Sequence, residues 1–327
     1  MALITRYLKT SNPGADPDVY TSLAAWEAAE QADLVAAGDS HELVCDAWVY
    51  VGDVTISGWT TGPGNKITIK AAPGHEHNGV QGAGVKFTVD NYSQEATVVC
   101  DVPYLNFLDV EITQTLYRAG VLTVAGNLFF DRCIIEGQSS SGGNDGAAFS
   151  LNTYPGILIQ NCWLIQTRTG QSGTGVVRYY RGAGTPVPVF KNCTFVGERG
   201  IYGAGSSAFE MPLVENCVFA TSLEAVNGAG GTTWPAGTRN NAVWGAQSSF
   251  GVDAVTGIGA SDFVDEPNDD YSIDATSALY DAGADLSAEF TTDIQGNTIT
   301  TWSIGAFQVA GGAPATGPDL LLGAAGV

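Results

Sequence analysis

The chain has 327 residues, enough to bury a core without disulfides or a structural metal. Its 42 glycines, only two methionines and low content of charged residues are typical of β-rich chains with many tight turns. The net charge of -21, from 13 basic and 34 acidic residues, argues against nucleic acid as a partner, because phosphate binding requires Lys and Arg to displace counterions. An all-β solenoid, sandwich or barrel is therefore expected.

The first forty residues predict an N-terminal arm followed by a capping helix. They lack a charged start followed by an apolar core, and no later run is long enough to span a bilayer, so neither a cleaved signal peptide nor membrane insertion is expected. A helix is predicted from an N-cap at Ser22 to a stop at Gly38. Its buried side is expected to contain Leu23, Trp26 and Leu34 and to close the first coil of a solenoid.

Strand patterns follow over 41–59, 65–71 and 84–90, separated by turn-forming segments. The turn APGHEHNG contains His75, Glu76 and His77. Two histidines in a Gly-rich loop without a third ligand are more typical of surface than of a metal site.

A cysteine-centred segment recurs from residue 110 onward. Its aligned positions are Val110, Cys133, Cys162, Cys193, Cys217 and Asn241. Self-similarity at a period of roughly 20 to 50 residues indicates a solenoid. Apolar residues three positions before and two positions after each aligned site predict two short strands with no room for a helix between them. The pattern predicts a parallel β-helix of about eight to eleven coils.

The repeated cysteines are interpreted as structural. Stacked coils place equivalent residues about 4.8 Å apart, so Cys133, Cys162, Cys193 and Cys217 would form a buried inward file. Disulfides stay an alternative, disfavoured because neighbours in one file seldom meet the required dihedral. Zinc binding is also disfavoured, since close ligand pairs are missing. The preceding bend would hold asparagines, which tolerate unusual backbone angles and hydrogen-bond along the stack: Asn161, Asn192, Asn216 and Asn240.

The segment after the repeats is predicted to form C-terminal coils and a cap over 262–310, followed by an extended tail over 311–327. Together with an arm and capping helix over 1–40 and a β-helix over 41–261, this gives four segments. Acidic residues cluster in the cap, and Asp265, Asp269 and Asp270 are candidate calcium ligands because this ion takes hard oxygen ligands. A solvated cap is the ordinary alternative, and no other cofactor is expected.

The NC rungs and the closing block DDYSIDATSALYDAGAD, TDIQG and IGAF resemble the right-handed parallel β-helix superfamily of pectate-lyase-like proteins over about 110–309. The segment from Tyr20 to Ala71 is similar to the first coils of bacteriophage virion proteins, and gene transfer agents carry related spike proteins. The resemblance implies an all-β, right-handed parallel β-helix solenoid and a head spike or tailspike. It implies little about activity, because the same scaffold serves lyases, hydrolases, tailspikes and adhesins.

The resemblance implies that a polysaccharide lyase would use a Lys or Arg base beside a calcium ion or a second basic residue. It implies that a glycosidase would use paired carboxylates whose surroundings separate their pKa values. Neither arrangement is evident in the sequence. The candidates for a depolymerase are Asp131, Glu136, Lys191 and Glu198. Acids beside every bend are more typical of a solvated outer face.

Basic residues concentrate between 168 and 199, among tyrosines. Arginine forks match carboxylate, sulfate or phosphate groups, and aromatic faces stack on sugar rings, so this segment predicts an acidic-glycan site. The alternative is a loop whose arginines pair with surface acids. The predicted site comprises Arg168, Arg178, Tyr179, Tyr180, Arg181, Lys191, Arg199 and Tyr202.

Three functions stay open at this point. The first is a virion or virion-like spike that binds acidic cell-surface polysaccharide, such as a capsule, without cleaving it. The second is a polysaccharide lyase or hydrolase, and the third is a structural decoration protein of a particle. The first predicts polysaccharide, other virion proteins and further copies of the chain as partners. It also predicts a location on the surface of a particle released outside the cell.

Overall fold

The computed structural model describes residues 2–89, 96–115, 119–138, 146–151, 156–167, 175–180, 187–204, 211–228, 234–245 and 247–309; of residues 180, 204 and 228 only the backbone is described. The helices are α1 (Leu23–Glu30), α2 (Leu34–Ala37) and two 3-10 turns, Ala260–Asp262 and Glu266–Asn268. Neither α-helix of the described chain has the length and apolar character needed to span a bilayer. The strands are β1 (Leu3–Leu8), β2 (Val19–Tyr20), β3 (Ser40–Cys45), β4 (Val49–Val51), β5 (Val54–Ile56), β6 (Ile67–Ala71), β7 (Val85–Val89), β8 (Ala96–Cys100), β9 (Leu105–Leu108), β10 (Val110–Gln114), β11 (Ala119–Thr123), β12 (Phe129–Asp131), β13 (Ile134–Gly137), β14 (Phe149–Leu151), β15 (Leu158–Gln160), β16 (Trp163–Gln166), β17 (Val177–Tyr180), β18 (Val189–Lys191), β19 (Thr194–Ala204), β20 (Leu213–Glu215), β21 (Val218–Gly228), β22 (Ala242–Trp244) and β23 (Val255–Ile258).

The strands wind into coils with three faces, and each strand pairs in parallel with its equivalent one coil away. The first face stacks β1, β3, β6, β9, β12, β15, β18 and β20. The second face stacks β4, β7, β10, β13, β16, the start of β19, the start of β21, β22 and β23, and the third stacks β5, β8, β11, β14, β17 and the ends of β19 and β21. This is a right-handed parallel β-helix, as predicted. Strands β19 and β21 each run through the bend between the second and third faces, which the sequence pattern does not predict.

The interior is built from stacked side chains of equal position. Phe107 stacks on Phe130 with ring centroids 5.1 Å apart, and Phe195 stacks on Phe219 at 4.3 Å. All six cysteines are buried and free, so the inward file is confirmed and the disulfide alternative is wrong. Burial raises the pKa of the Cys133 thiol well above its ordinary value.

The bend between the first and second faces, here called the corner, has the unusual backbone geometry that was expected. Its residues adopt left-handed φ values between 49° and 58°, which Asn and Asp tolerate better than most residues. The corner N–H groups from Asp109 to Asn240 each donate to a carbonyl of the following coil, as Asn192 does to Glu215. The corner residues are Asp109, Arg132, Asn161, Asn192, Asn216, Asn240 and Asp253.

The N-terminal cap consists of two short helices rather than the single predicted helix. Ser22 caps α1 by accepting from the Ala25 N–H at 3.1 Å, and Gly38 ends α2 with φ 73°. The break occurs because Ala32 and Leu34 exchange backbone hydrogen bonds with Thr60 of the first coil. Asp33 then caps α2.

The segment 262–309 adds no named strand to the solenoid, which differs from the coils predicted there. It folds back along the outer side of the second face, where Ile304 and Phe307 join an apolar cluster with Ile134, Trp163 and Val218. The reason lies in the coils themselves: these last three residues point outward and are apolar, so they need a cover.

Candidate functional site

A cleft of about 440 Å³ opens where the returning C-terminal segment meets the loop before β7. Its floor is the outer side of the second face at Trp163. One wall is the loop at 79–81, and the other is formed by 268–272, Gln295 and Phe307. Concave sites with an aromatic floor and a few polar groups are the usual form of small-molecule and saccharide pockets.

Trp163 contributes a buried indole N–H group. The side chain is 3% exposed, and no hydrogen-bond acceptor for Nε1 exists among the described residues. Tyr271 and Phe307 hold the ring from two sides, each with a centroid distance of 5.7 Å. A buried donor without an acceptor is costly, so a ligand oxygen at this position would be stabilising.

The walls carry short polar side chains held by their own loops. The Asp270 carboxylate accepts hydrogen bonds from the N–H and hydroxyl groups of Ser272, at 3.0 Å for the N–H. Asp269 occupies the left-handed region with φ 61°, which ends the 3-10 turn before it. The polar residues that line the cleft are Gln81, Asn268, Asp269, Asp270, Ser272 and Gln295.

The loop wall comes close to the C-terminal segment because Gly79 lacks a side chain. A Cβ there would lie 2.9 Å from Gln295 Cγ and 3.0 Å from Phe307 Cε1, and φ is 74°. The loop is anchored by His77, whose Nδ1 accepts from the Gly79 N–H at 3.0 Å and whose Nε2 donates to the Arg132 carbonyl at 2.8 Å. His77 is 1% exposed, so the expectation that this histidine belongs to the surface is wrong.

A second polar group adjoins the cleft through Gln81. Its amide donates to Glu136 Oε2 at 2.6 Å. Glu111, fully buried one coil earlier, accepts from Lys86 Nζ at 2.7 Å and from the Gly82 N–H at 2.6 Å. Glu111 pairs with Ile134 and Thr113 with Glu136, so the two glutamates are diagonal neighbours on adjacent coils.

Burial raises the pKa of Glu136, and the nearby Glu111 carboxylate raises it further, against the opposing effect of Lys86. Glu136 thus keeps its proton to higher pH than an ordinary carboxyl. Glu111 instead accepts charge-assisted hydrogen bonds. Two carboxyl groups in such different surroundings can act chemically as an acid and a base.

The predicted acidic-glycan residues do not form one patch in the described chain. Lys191 lies on the first face and pairs with Glu215 at 3.6 Å and with Glu289. Arg199 lies in β19 and pairs with Glu224 at 2.6 Å, as the surface-pairing alternative predicts. Arg168 and Arg181 lie outside the described residues, as does the side chain of Tyr180.

The remaining predicted residues are on the third face, where β17 and β19 pair. Tyr179 is 2% exposed and part of the core, so its assignment as a sugar-stacking residue is wrong. The cause is the alternation of a strand, which turns Tyr179 inward when Arg178 is outward. Arg178 is itself 9% exposed, and Tyr202, its register partner, is half-buried.

The four depolymerase candidates are likewise dispersed. Asp131 lies beside the corner, accepts from Arg132 at 2.7 Å and from Asn161 at 3.0 Å, and is 7% exposed rather than solvated. Glu198 lies within β19 and Lys191 on the first face. Glu136 is the member that adjoins the cleft.

Of the candidate calcium ligands, Asp269 and Asp270 line the cleft, whereas Asp265 bonds to Asn268 outside it. Within the described part of the chain, no group of three or more His, Cys, Asp or Glu side chains is placed to hold a metal ion.

The sequence reading missed Trp163, Gln81, Lys86 and Glu111. One signal could have found the first of them. The residues directly after the repeated cysteine slot point outward, and most are apolar, which indicates that something covers this face. They are Ile134, Trp163, Thr194, Val218 and Ala242.

No family model matches the chain, and no curated protein matches it. Among solved structures, it is similar to Escherichia coli YbhC at 12% identity and TM-score 0.43, covering 73% of this chain and 71% of that one. It is also similar to a pectin methylesterase from Aspergillus niger at 12% identity and TM-score 0.44, covering 86% and 92%. A pectin methylesterase variant in complex with a hexasaccharide gives 10% identity and TM-score 0.31, covering 75% and 72%. At such identities and TM-scores these likenesses carry no activity to this chain.

Proposed function

We propose that the protein is a saccharide-binding β-helix and that the cleft over Trp163 holds one or a few sugar units. The observation that carries the proposal is the buried indole N–H of Trp163, which has no partner among the described residues and belongs to a ring that lines the cleft together with amide and carboxylate side chains. Sugar hydroxyls act as both donors and acceptors, so they can accept from the indole and donate to Asp269 or Asp270. Gln81 and Gln295 supply both kinds of group.

The charge of the cleft favours a neutral or amino sugar over an acidic one. Among the described lining residues the ionisable groups near neutral pH are Asp269 and Asp270, and Glu136 adjoins them through Gln81. A uronate or sulfate would meet like charge in a half-enclosed site, where repulsion is screened less than in water. The acidic polysaccharide predicted from the sequence is therefore not proposed as the ligand of this cleft.

Calorimetric titration with neutral, amino and uronic oligosaccharides tests the saccharide site. Trp163→Phe removes the N–H but keeps most of the ring, and we expect at least a tenfold loss of affinity for the saccharide that binds. Trp26→Phe is the matched control, because Trp26 Nε1 is also buried without a partner in the described chain but lies in the N-terminal cap. Equal binding by both variants, or preferential binding of uronates at Trp163, contradicts the proposal.

The setting of this binding activity is proposed to be the surface of a virion or virion-like particle, with other virion proteins and further copies of the chain as partners. The support is the resemblance of the N-terminal coils to phage virion proteins, not the cleft. Immunogold labelling of native particles with an antibody to the β-helix tests the setting. Label restricted to soluble protein would contradict it and leave the saccharide site intact.

Cleavage of the bound saccharide is the second candidate function, and the surroundings of Glu136 favour it. A carboxyl with a raised pKa can donate a proton to a glycosidic oxygen, while Glu111 beside Lys86 stays in a different electrostatic environment. Release of reducing ends, measured over a pH series with wild type and Glu136→Gln, distinguishes cleavage from binding alone. Activity lost in Glu136→Gln with saccharide affinity retained would assign cleavage; no release by wild type would leave binding alone.

A further inference from the structure

The first coil has three strands, and two of their outer edges are covered. Strand β1 pairs along the whole of β3, from Leu3 opposite Ser40 to Leu8 opposite Cys45. Helix α1 covers the end of β5, where Glu27 accepts from the Ser57 N–H at 2.8 Å and from Trp59 Nε1 at 2.8 Å. Strand β4 ends its sheet, and no strand among the described residues pairs with its outer edge.

The open edge of β4 presents backbone groups for which the described residues supply no backbone partner. The Trp48 carbonyl accepts from the Lys86 N–H at 2.9 Å, and the Gly52 N–H donates to Thr88 at 2.8 Å, so these groups point toward β7. Successive residues of a strand direct their N–H and C=O groups to opposite sides. The N–H and C=O groups of Val49 and Val51 therefore point outward, where another strand could bind them.

The side chains at this edge are also unusual, because they are apolar and exposed to solvent. Trp48 is 56% exposed, Val49 44% and Val51 64%, which places three exposed apolar side chains within four positions. Natural edge strands are commonly protected by Lys, Pro or an inward charge, and β4 has none of these within its three residues. Exposed backbone and apolar side chains together are typical of a surface that adds a strand.

The negative charge at this end of the solenoid determines which kind of partner strand can bind to β4. Arg6 is engaged with Asp18 at 3.0 Å and Glu30 at 2.7 Å, which leaves Lys9 as the other cation of residues 2–60. A second copy of the chain would bring the same negative charge to the edge and be repelled. The acidic residues of this end are Asp16, Asp18, Glu27, Glu30, Asp33, Asp39, Glu42, Asp46 and Asp53.

We infer that β4 binds an extended segment of a different protein, with apolar residues at alternate positions and Lys or Arg at its flanks. The segment's backbone would pair with Val49 and Val51, its apolar side chains would cover Trp48 and the two valines, and its basic flanks would face the acidic end. This interaction is independent of the saccharide cleft, which lies on later coils.

The test uses a synthetic peptide of alternating Val and Thr flanked by paired lysines. Hydrogen exchange should show the amides of Val49 and Val51 slowed at least tenfold by this peptide. The same peptide flanked by glutamates should have less than a tenth of the effect, and a version N-methylated on its pairing edge should have none. Val51→Pro, which removes an outward N–H and no bond to β7, should abolish the protection, with an unchanged melting temperature as the check on folding.

Unchanged exchange at millimolar lysine peptide would overturn the inference. So would equal protection by the glutamate peptide, since the charge argument would then fail. Protection of Val49 and Val51 that grows with protein concentration alone, together with a doubled sedimenting mass, would assign the edge to a second copy and overturn the proposed partner.

Discussion

The corner of the β-helix is built in two ways along its length. In the first half it is charged: Arg132 Nε donates to Asp109 at 2.6 Å across adjacent coils and Nη1 donates to Asp131. From Asn161 to Asn240 it is neutral, and Asn192 Nδ2 donates to Asn161 at 2.8 Å. Both halves have the same left-handed backbone. One geometric requirement is thus met by two different side-chain chemistries.

The difference follows from what lies against each half. Asn216 exchanges two hydrogen bonds with Ala284, and Asn240 donates to Ala282, so the neutral half docks the backbone of the returning segment. The charged half contacts the His77 loop through the Arg132 carbonyl, and it contacts a side chain of the returning segment, the Thr292 hydroxyl, through the Arg132 guanidinium. Amides suit a backbone partner because each offers a donor and an acceptor. An ion pair needs no further partner.

The largest expected effect concerns Asn216, which is fully buried. Asn216→Ala removes both bonds to Ala284 and leaves a residue poorly suited to φ 54°, so we expect a loss of about 3 kcal/mol in the free energy of unfolding. Asn216→Gly keeps the backbone suitable and loses only the hydrogen bonds, so its loss should be about 1 kcal/mol smaller. Urea denaturation measures both.

Asn78→Ala is the control for this pair. Asn78 also has a left-handed φ of 49°, but it is exposed, so the change should cost only the backbone term of about 1 kcal/mol. Equal losses at positions 78 and 216 would mean that docking of the C-terminal segment contributes nothing.

The charged half should respond differently when the charged side chain of Arg132 is replaced by a neutral one. Arg132→Ala leaves Asp109 and Asp131 together without their cation, and we expect a loss of about 2 kcal/mol, between the values for exposed and buried pairs. Arg132→Asn gives the charged half the amide side chain found in the neutral half. Because Asn tolerates the left-handed backbone better than Ala, its loss should be about 1 kcal/mol smaller than that of Arg132→Ala. Identical losses in urea titrations would show that φ at this corner position has no energetic weight.

The halves should also differ in pH dependence. Burial raises the pKa of Asp131 above its ordinary value, while Arg132 and Asn161 oppose the shift. The folded state then holds the proton to higher pH than the unfolded state, so the stability that Asp131 contributes is present below about pH 4 and is lost as pH rises through its folded pKa. Asp131→Asn should therefore gain on wild type as pH rises from about 4 to 7, by less than about 1 kcal/mol. Urea denaturation of wild type and Asp131→Asn over this pH range measures the difference.

Much of the corner could be predicted from sequence, because each repeat carries its own information. The corner residue and the inward residue after it, such as Asn161 and Cys162, occupy the same two positions in each repeat. The strand register, the inward file and the backbone angle at the corner therefore follow from the repeat spacing alone. The identity of Arg132 as a corner residue follows from the same alignment. Its ion pair with Asp109 does not, because that depends on side chains brought together by stacking.

The cleft could not be predicted, since it needs two segments far apart in the chain. Residues 262–309 have no strand periodicity and fold by covering apolar positions such as Trp163. Their path depends on the shape of coils already formed. The inward orientation of Tyr179 could not be predicted for a related reason. Tyrosines and arginines occupy neighbouring positions in this strand, so the sequence does not show which alternate set of side chains faces the core.

The last prediction concerns the reactivity of the cysteine file, where the smallest effect on stability is expected. This file runs beside the corner through both halves. In wild type no thiol should react with a polar aromatic disulfide reagent, and all six should react after denaturation, because each is buried and free. The Cys217 N–H donates to Asn241 at 2.9 Å, and the neighbouring Asn216 holds the C-terminal segment. In Asn216→Ala we expect local opening there, so that Cys217 reacts at least tenfold faster than Cys133, which lies beside the charged half. If both thiols became reactive together, the two halves would open as one unit, and the division of the corner would be chemical without being energetic.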